Sequence, residues 1–161
     1  MSKIDKTKIE WCDSTWNPVT GCLHGCPYCY ARSIVRRFGW KDCDQMNTEL
    51  NDPVIDGNGS RIAYPTGFKP TLHRYRLEDY VKKSGRTIFV CSMADLFGYW
   101  VPNEWIEEVF YVCERVPQHR YLFLTKNPRR YYALAEKGKL PLRHNMWYGS
   151  TTVNSDTELL L

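Results

Sequence analysis

The clearest hydrophobic pattern lies in the second half of the chain. Thr87-Ile88-Phe89-Val90-Cys91-Ser92-Met93 is a short, nearly continuous apolar run, the form of a strand covered on both faces. Pro102-Asn103-Glu104 then opens a helix through about Val116. Trp105, Ile106, Val109, Phe110, Val112, Cys113 and Val116 recur there at helical spacing, and Pro117 ends it. Tyr121–Thr125 reads as the next strand. Asn127 is a candidate cap with Pro128 at the first helical position, for a helix through Tyr131, Tyr132, Leu134 and Ala135 to Gly138. Met146–Thr151 reads as a further strand. Strands alternating with helices predict the α/β class, with a parallel sheet and right-handed crossovers.

The first half is less regular. Met1–Lys8 is a charged lead-in, and Ile9–Trp16 reads as a first strand. Asn17-Pro18-Val19-Thr20-Gly21 turns the chain into a cysteine-bearing loop. Beyond the loop, Ala31, Ile34, Val35 and Phe38 share one helical face while Arg32, Arg36 and Arg37 stay wet, and Gly39 is a stop signal. About 40–85 reads as an irregular insertion, with turn signals at Asp52-Pro53, Asp56-Gly57-Asn58-Gly59 and Pro65-Thr66-Gly67. Leu77–Lys83 is its one short helical candidate. Near the end, Ser155-Asp156-Thr157-Glu158 is a capping box followed by Leu159-Leu160-Leu161. The expectation is one domain over 1–161, a partial (β/α) TIM-barrel-like parallel sheet, truncated after its fourth strand.

Composition changes this picture little. The 161 residues suffice for one core. A net charge of +4, from 22 basic and 18 acidic residues, fits an anionic substrate and equally an ordinary solvated surface. The group Lys69, His73, Arg74, Tyr75 and Arg76 has the form of a phosphate contact, but a solvated insertion is the favoured reading. No run approaches the roughly 18 apolar residues of a membrane span. Seven cysteines is an odd number, and no apolar leader follows Met1. Both points favour a reducing cytoplasm, where clustered cysteines serve metals or catalysis.

Candidate chemistry concentrates in Cys22-Leu23-His24-Gly25-Cys26-Pro27-Tyr28-Cys29, a C-x3-C-x2-C loop joining a strand to a helix. Thiolates converging on a Gly/Pro loop suit soft-metal chemistry, either an iron–sulfur cluster or zinc. Three ligands leave one iron of a four-iron cubane open. Structural zinc needs a fourth, from His24, Cys12 or Cys43, in a zinc-binding interaction module. His24 reads more simply as a loop residue. Cys91 and Cys113 lie inside apolar runs and read as small core hydrophobes, while Cys12 and Cys43 remain open.

The loop, with Tyr28 before the third cysteine, resembles the signature of the radical S-adenosylmethionine (radical SAM) superfamily. Several blocks resemble, more narrowly, a phage-associated radical SAM family of uncharacterised function. They are Ile9-Glu10-Trp11, Thr15–Cys22, Ser92-Met93-Ala94-Asp95-Leu96-Phe97, Leu124-Thr125-Lys126-Asn127-Pro128 and Trp147-Tyr148-Gly149-Ser150. The resemblance implies a 4Fe-4S cluster on Cys22, Cys26 and Cys29, with S-adenosyl-L-methionine on the fourth iron. Its reductive cleavage would give a 5′-deoxyadenosyl radical, fed by an electron donor such as flavodoxin or ferredoxin. It further implies Tyr28 near the adenine, and Ser92, Met93 and Asp95 at the methionine ammonium. Thr125, Lys126, Ser150 and Thr151 would lie on the cofactor side, with Lys126 facing a carboxylate or phosphate. The substrate is unknown, with nucleic acid or nucleotide as the suggested class. Later barrel strands, with any ribose or substrate residues they carry, have no counterpart here. A non-catalytic remnant is therefore a further reading.

Overall fold

A strand paired on both edges and covered on both faces must be apolar throughout, and Thr87–Val90 (β5) meets that demand with Ile88, Phe89 and Val90 all buried. The computed structural model describes residues 11–26, 29–37 and 46–151. Expectations that fall on Ile9, Glu10, Tyr28, Phe38, Gly39, Cys43 and the stretch from Ser155 to Leu161 lie outside these residues.

In chain order the described elements are β1 (Ser14–Trp16), β2 (Val19–Thr20), α1 (Tyr30–Arg37), β3 (Thr48–Leu50), β4 (Thr71–His73), β5, α2 (Asn103–Arg115), β6 (Arg120–Thr125), α3 (Arg129–Glu136) and β7 (Met146–Ser150). The main sheet has the order β1-β5-β6-β7, and each neighbouring pair is parallel. The register sets Trp16 beside Val90, Val90 beside Phe123, and Thr125 beside Ser150. Four carboxyl-terminal strand ends therefore lie along one edge of the sheet. Asn17, Cys91, Lys126 and Thr151 follow them there.

The helices follow the apolar periodicity. α2 buries Trp105, Ile106, Val109, Phe110, Val112 and Cys113, each large side chain worth about 1.5–3 kcal/mol of burial. Phe97, in the turn after β5, is fully buried and meets Phe110, Phe123 and Tyr131 at ring-centroid distances of 6.0, 5.9 and 4.6 Å. One side chain thus joins α2, β6 and α3. Cys91 and Cys113 are both buried in this core, as the apolar runs predicted.

Four expectations are corrected. β5 ends at Val90 rather than Met93, because Cys91 adopts φ 60 and its N–H donates to the Trp16 carbonyl at 2.7 Å. The chain there folds over the sheet edge in a turn closed by Ala94 N–H on the Cys91 carbonyl. Asn127 does not cap α3 through its side chain. Pro128 holds the cap position, and Asn127 Nδ2 donates to the Phe97 carbonyl at 3.0 Å. Leu77–Lys83 is not an α-helix: a 3-10 turn at Arg74–Arg76 runs on into turns closed by i to i+3 bonds. Finally, 40–85 is not simply irregular. Its β3 and β4 join β2 in a second sheet of order β2-β4-β3, antiparallel at β2/β4 and parallel at β3/β4.

Three members of the basic group in that segment, His73, Arg74 and Arg76, are engaged in internal contacts. Arg74 binds Glu108 through Nε at 2.9 Å and Glu49 through Nη2 at 2.7 Å. Arg76 donates to the carbonyls of Asn17 at 3.1 Å and Ala63 at 2.7 Å. His73 is fully buried between Thr20 Oγ1, 2.8 Å from Nε2, and Tyr75 Oη, 2.9 Å from Nδ1. No described helix is long and apolar enough to cross a membrane.

Candidate functional site

The cysteine loop leaves the second sheet at Gly21 and settles on the carboxyl edge of the first. Gly21 N–H donates to the Met93 carbonyl at 3.0 Å, forming a parallel bridge to Ala94, and Cys22 N–H donates to the Phe68 carbonyl at 3.3 Å. Only glycine suits the position: its φ is 91, and an added Cβ would collide with the Lys69 carbonyl. Gly25, also at positive φ, makes the next bend.

Each of the three sulfurs accepts one N–H. Cys22 Sγ receives the His24 backbone at 3.5 Å, Cys29 Sγ the Arg32 backbone at 3.5 Å, and Cys26 Sγ the Lys126 ammonium at 2.8 Å. The Arg32 amide belongs to the first turn of α1, where helix N–H groups have no partner within the helix. Cys22 and Cys29 line a cavity of about 470 Å³ on the carboxyl edge. Burial pushes the Cys22 thiol up to about 11; Asp95 and Cys29 add to the rise, while the His24 N–H and the Lys126 charge oppose it. Burial also works against the charge of Lys126. The hydrogen bond and charge of Cys26, with Cys22 and Cys29 behind it, outweigh that and hold its ammonium above the ordinary lysine range.

Beneath the loop lies a buried carboxylate. Asp95 Oδ1 accepts Phe97 N–H at 3.0 Å and Thr125 Oγ1–H at 2.6 Å. Its Oδ2 accepts His24 Nε2–H at 2.6 Å and Lys126 N–H at 2.9 Å. Four donors fill the acceptor sites of one carboxylate, so the group that the family resemblance set at a methionine ammonium holds three chain segments together. His24, expected as an ordinary loop residue, is the loop's share of this clamp, with its ring edge on Trp100 at 4.9 Å.

Of the other expected residues, Ser92, Thr125 and Lys126 line the cavity, and so does Thr151. Met93 is packed with Ala31, Val35 and Phe68, and its backbone N–H donates to Asn17 Oδ1 at 2.9 Å. Ser150 is buried beside Thr125 at the end of β7. Neither of these two side chains is among the cavity's lining. Tyr28 lies outside the described residues. Cys12 is buried and hydrogen-bonded to the Phe89 backbone; burial first, then the Asp13 charge, raises its thiol. All six described cysteines are free thiols. Among the described residues, no group of three or more His, Cys, Asp or Glu side chains is gathered tightly enough to hold a single metal ion.

Sequence reasoning missed the walls of the cavity. Trp11 and Tyr30, both about half exposed, stand at it together with Phe68 and Phe89. Trp11 lies 4.7 Å from the Phe89 ring, and Tyr30 Oη–H donates to the Ser92 carbonyl at 3.1 Å, which fixes its ring. The only signal in the sequence was aromatic residues flanking the cysteine loop on both sides.

A family model described as "Protein of unknown function (DUF5131)" matches residues 6–159. No curated protein and no solved structure is matched.

Proposed function

We propose that this chain, which belongs to the DUF5131 family of proteins of unknown function, is a radical SAM enzyme. Cys22, Cys26 and Cys29 would hold a 4Fe-4S cluster, and S-adenosyl-L-methionine would occupy the adjoining cavity. The observation that carries this reading is the cysteine loop itself, whose three sulfurs each accept an N–H donor, with Cys22 and Cys29 at one cavity. N–H groups directed at sulfur are a principal way in which proteins tune iron–sulfur centres. The four-stranded parallel sheet would then be of the radical SAM barrel type, with its site at the carboxyl strand ends where such folds keep them. The cluster and its ligand supply, when bound, the one-electron cleavage that yields the 5′-deoxyadenosyl radical.

The protein's own residues position and enclose. Asp95 and His24 hold the loop against β6, Gly21 fixes where it starts, and Phe68, Phe89 and Leu124 keep the cavity wall apolar and limit water. Trp11 and Tyr30 at the cavity favour a substrate bearing a planar ring, a nucleotide or nucleic acid. His73, Arg74 and Arg76, engaged within the fold, play no part in that preference. The six described cysteines, all free thiols, suit a reducing cytoplasm, where a flavodoxin or ferredoxin would donate the electron.

Anaerobic reconstitution with iron and sulfide tests the proposal, followed by iron and zinc analysis and an assay of S-adenosyl-L-methionine cleavage after reduction. The expected product is a brown protein with about four irons per chain that releases methionine and 5′-deoxyadenosine. Cys26→Ala should lose the cluster. A colourless protein holding one zinc per chain would overturn the reading.

A further inference from the structure

Of the three sulfurs, Cys26 alone takes its hydrogen bond from a charged side chain. Cys22 and Cys29 accept backbone amides at 3.5 Å, whereas Lys126 brings an ammonium to Cys26 at 2.8 Å. The ammonium does not arrive on a loose arm. Lys126 N–H is bonded to Asp95 Oδ2, and its neighbour Thr125 to Asp95 Oδ1, while Asp95 also grips His24 of the cysteine loop. One buried carboxylate thus sets both the origin of the lysine side chain and the height of the loop it reaches. Lys126 is itself partly sequestered, at a cavity largely walled by apolar side chains. A charge there is screened less than on an open surface.

An amide presents a partial charge to sulfur; an ammonium presents a whole one. A thiolate-ligated cluster is anionic and gains another negative charge on reduction, so a fixed cation stabilises the reduced state more than the oxidised one. We propose that Lys126 tunes the reduction potential of the cluster held by Cys22, Cys26 and Cys29, raising it by keeping a full positive charge beside the Cys26 sulfur. The inference rests on the cluster reading above. Lys126 is a positioning residue here: it keeps its proton in both states, and the only change is one electron taken up from an external one-electron donor. No bond is made or broken.

The test is a potentiometric titration with dithionite of reconstituted wild type, Lys126→Met, Lys126→Gln and Lys126→Arg, read by electron paramagnetic resonance and normalised to iron content. At the wild-type midpoint, the ratio of reduced to oxidised cluster should fall about tenfold or more in the two neutral variants. Lys126→Arg should stay near wild type. Lys126→Gln separates charge from hydrogen bonding, since it keeps an N–H donor without the charge. Neutral variants with full iron content and a wild-type midpoint would overturn the proposal. So would loss of the cluster from both neutral variants, which would make Lys126 a retention residue. A wild-type protein that takes up no cluster would instead defeat the functional reading on which the inference stands.

Discussion

His73 shows how much one buried side chain can dictate. It is fully enclosed between two hydroxyls, and burial, then the nearby Arg76 charge, lowers its pKa to about 3. An unfolded histidine titrates near 6.5. The folded protein therefore refuses a proton that the unfolded chain accepts. Its contribution to stability is complete above about pH 6.5 and is lost as the pH falls from there toward 3, at up to about 1.4 kcal/mol per pH unit. Buried His119, held low first by burial, acts in the same direction. Urea melts from pH 7.5 down to 4.5 should show that slope, and His73→Gln should flatten it without removing the share due to His119.

At the level of elements, the apolar runs foretold β5, α2, β6, α3 and β7 because long buried segments carry their own periodicity. Trp105 through Cys113 could hardly be read otherwise. The strands of the second sheet stayed hidden because they are only two or three residues long and owe their existence to partners far away in the chain, as Val19 does to Leu72. The site divides along the same line. Three cysteines at C-x3-C-x2-C spacing mark the candidate loop in the sequence, whereas the clamp on Asp95 is assembled from His24, Phe97, Thr125 and Lys126, whose meeting no local pattern encodes. Phe97 links the two classes, since its ring packs against α2, β6 and α3 while its N–H supports Asp95. Phe97→Ala is expected to cost about 3–5 kcal/mol in chemical denaturation.

Across the whole molecule, the two sheets meet at Gly21. Its N–H is bonded to the turn after β5, and its α-carbon faces the carbonyl of Lys69 in the second sheet's segment. The segment that looked like an insertion therefore supplies one side of the slot through which the cysteine loop passes, and Phe68 within it is part of the cavity wall. Gly21→Ala should lower stability by about 1–3 kcal/mol, seen as a lower denaturant midpoint, and should reduce the iron retained after reconstitution. A defect in both readouts is the signature of a residue that joins scaffold and site.

The bond from Lys126 to Cys26 also bears on the order of events at the ribosome. One hundred residues separate the two partners. At about 5–20 residues per second, the cysteine leaves the ribosome on the order of 5–20 seconds before the lysine that caps it. Asp95, which positions both, is likewise made long after the loop. During that interval the thiols emerge without their cation or their clamp, open to oxidants and stray metals. A pause introduced before codon 126 should therefore raise the fraction of chains with oxidised cysteines, and for the cluster proposed above it places loading after the synthesis of β6.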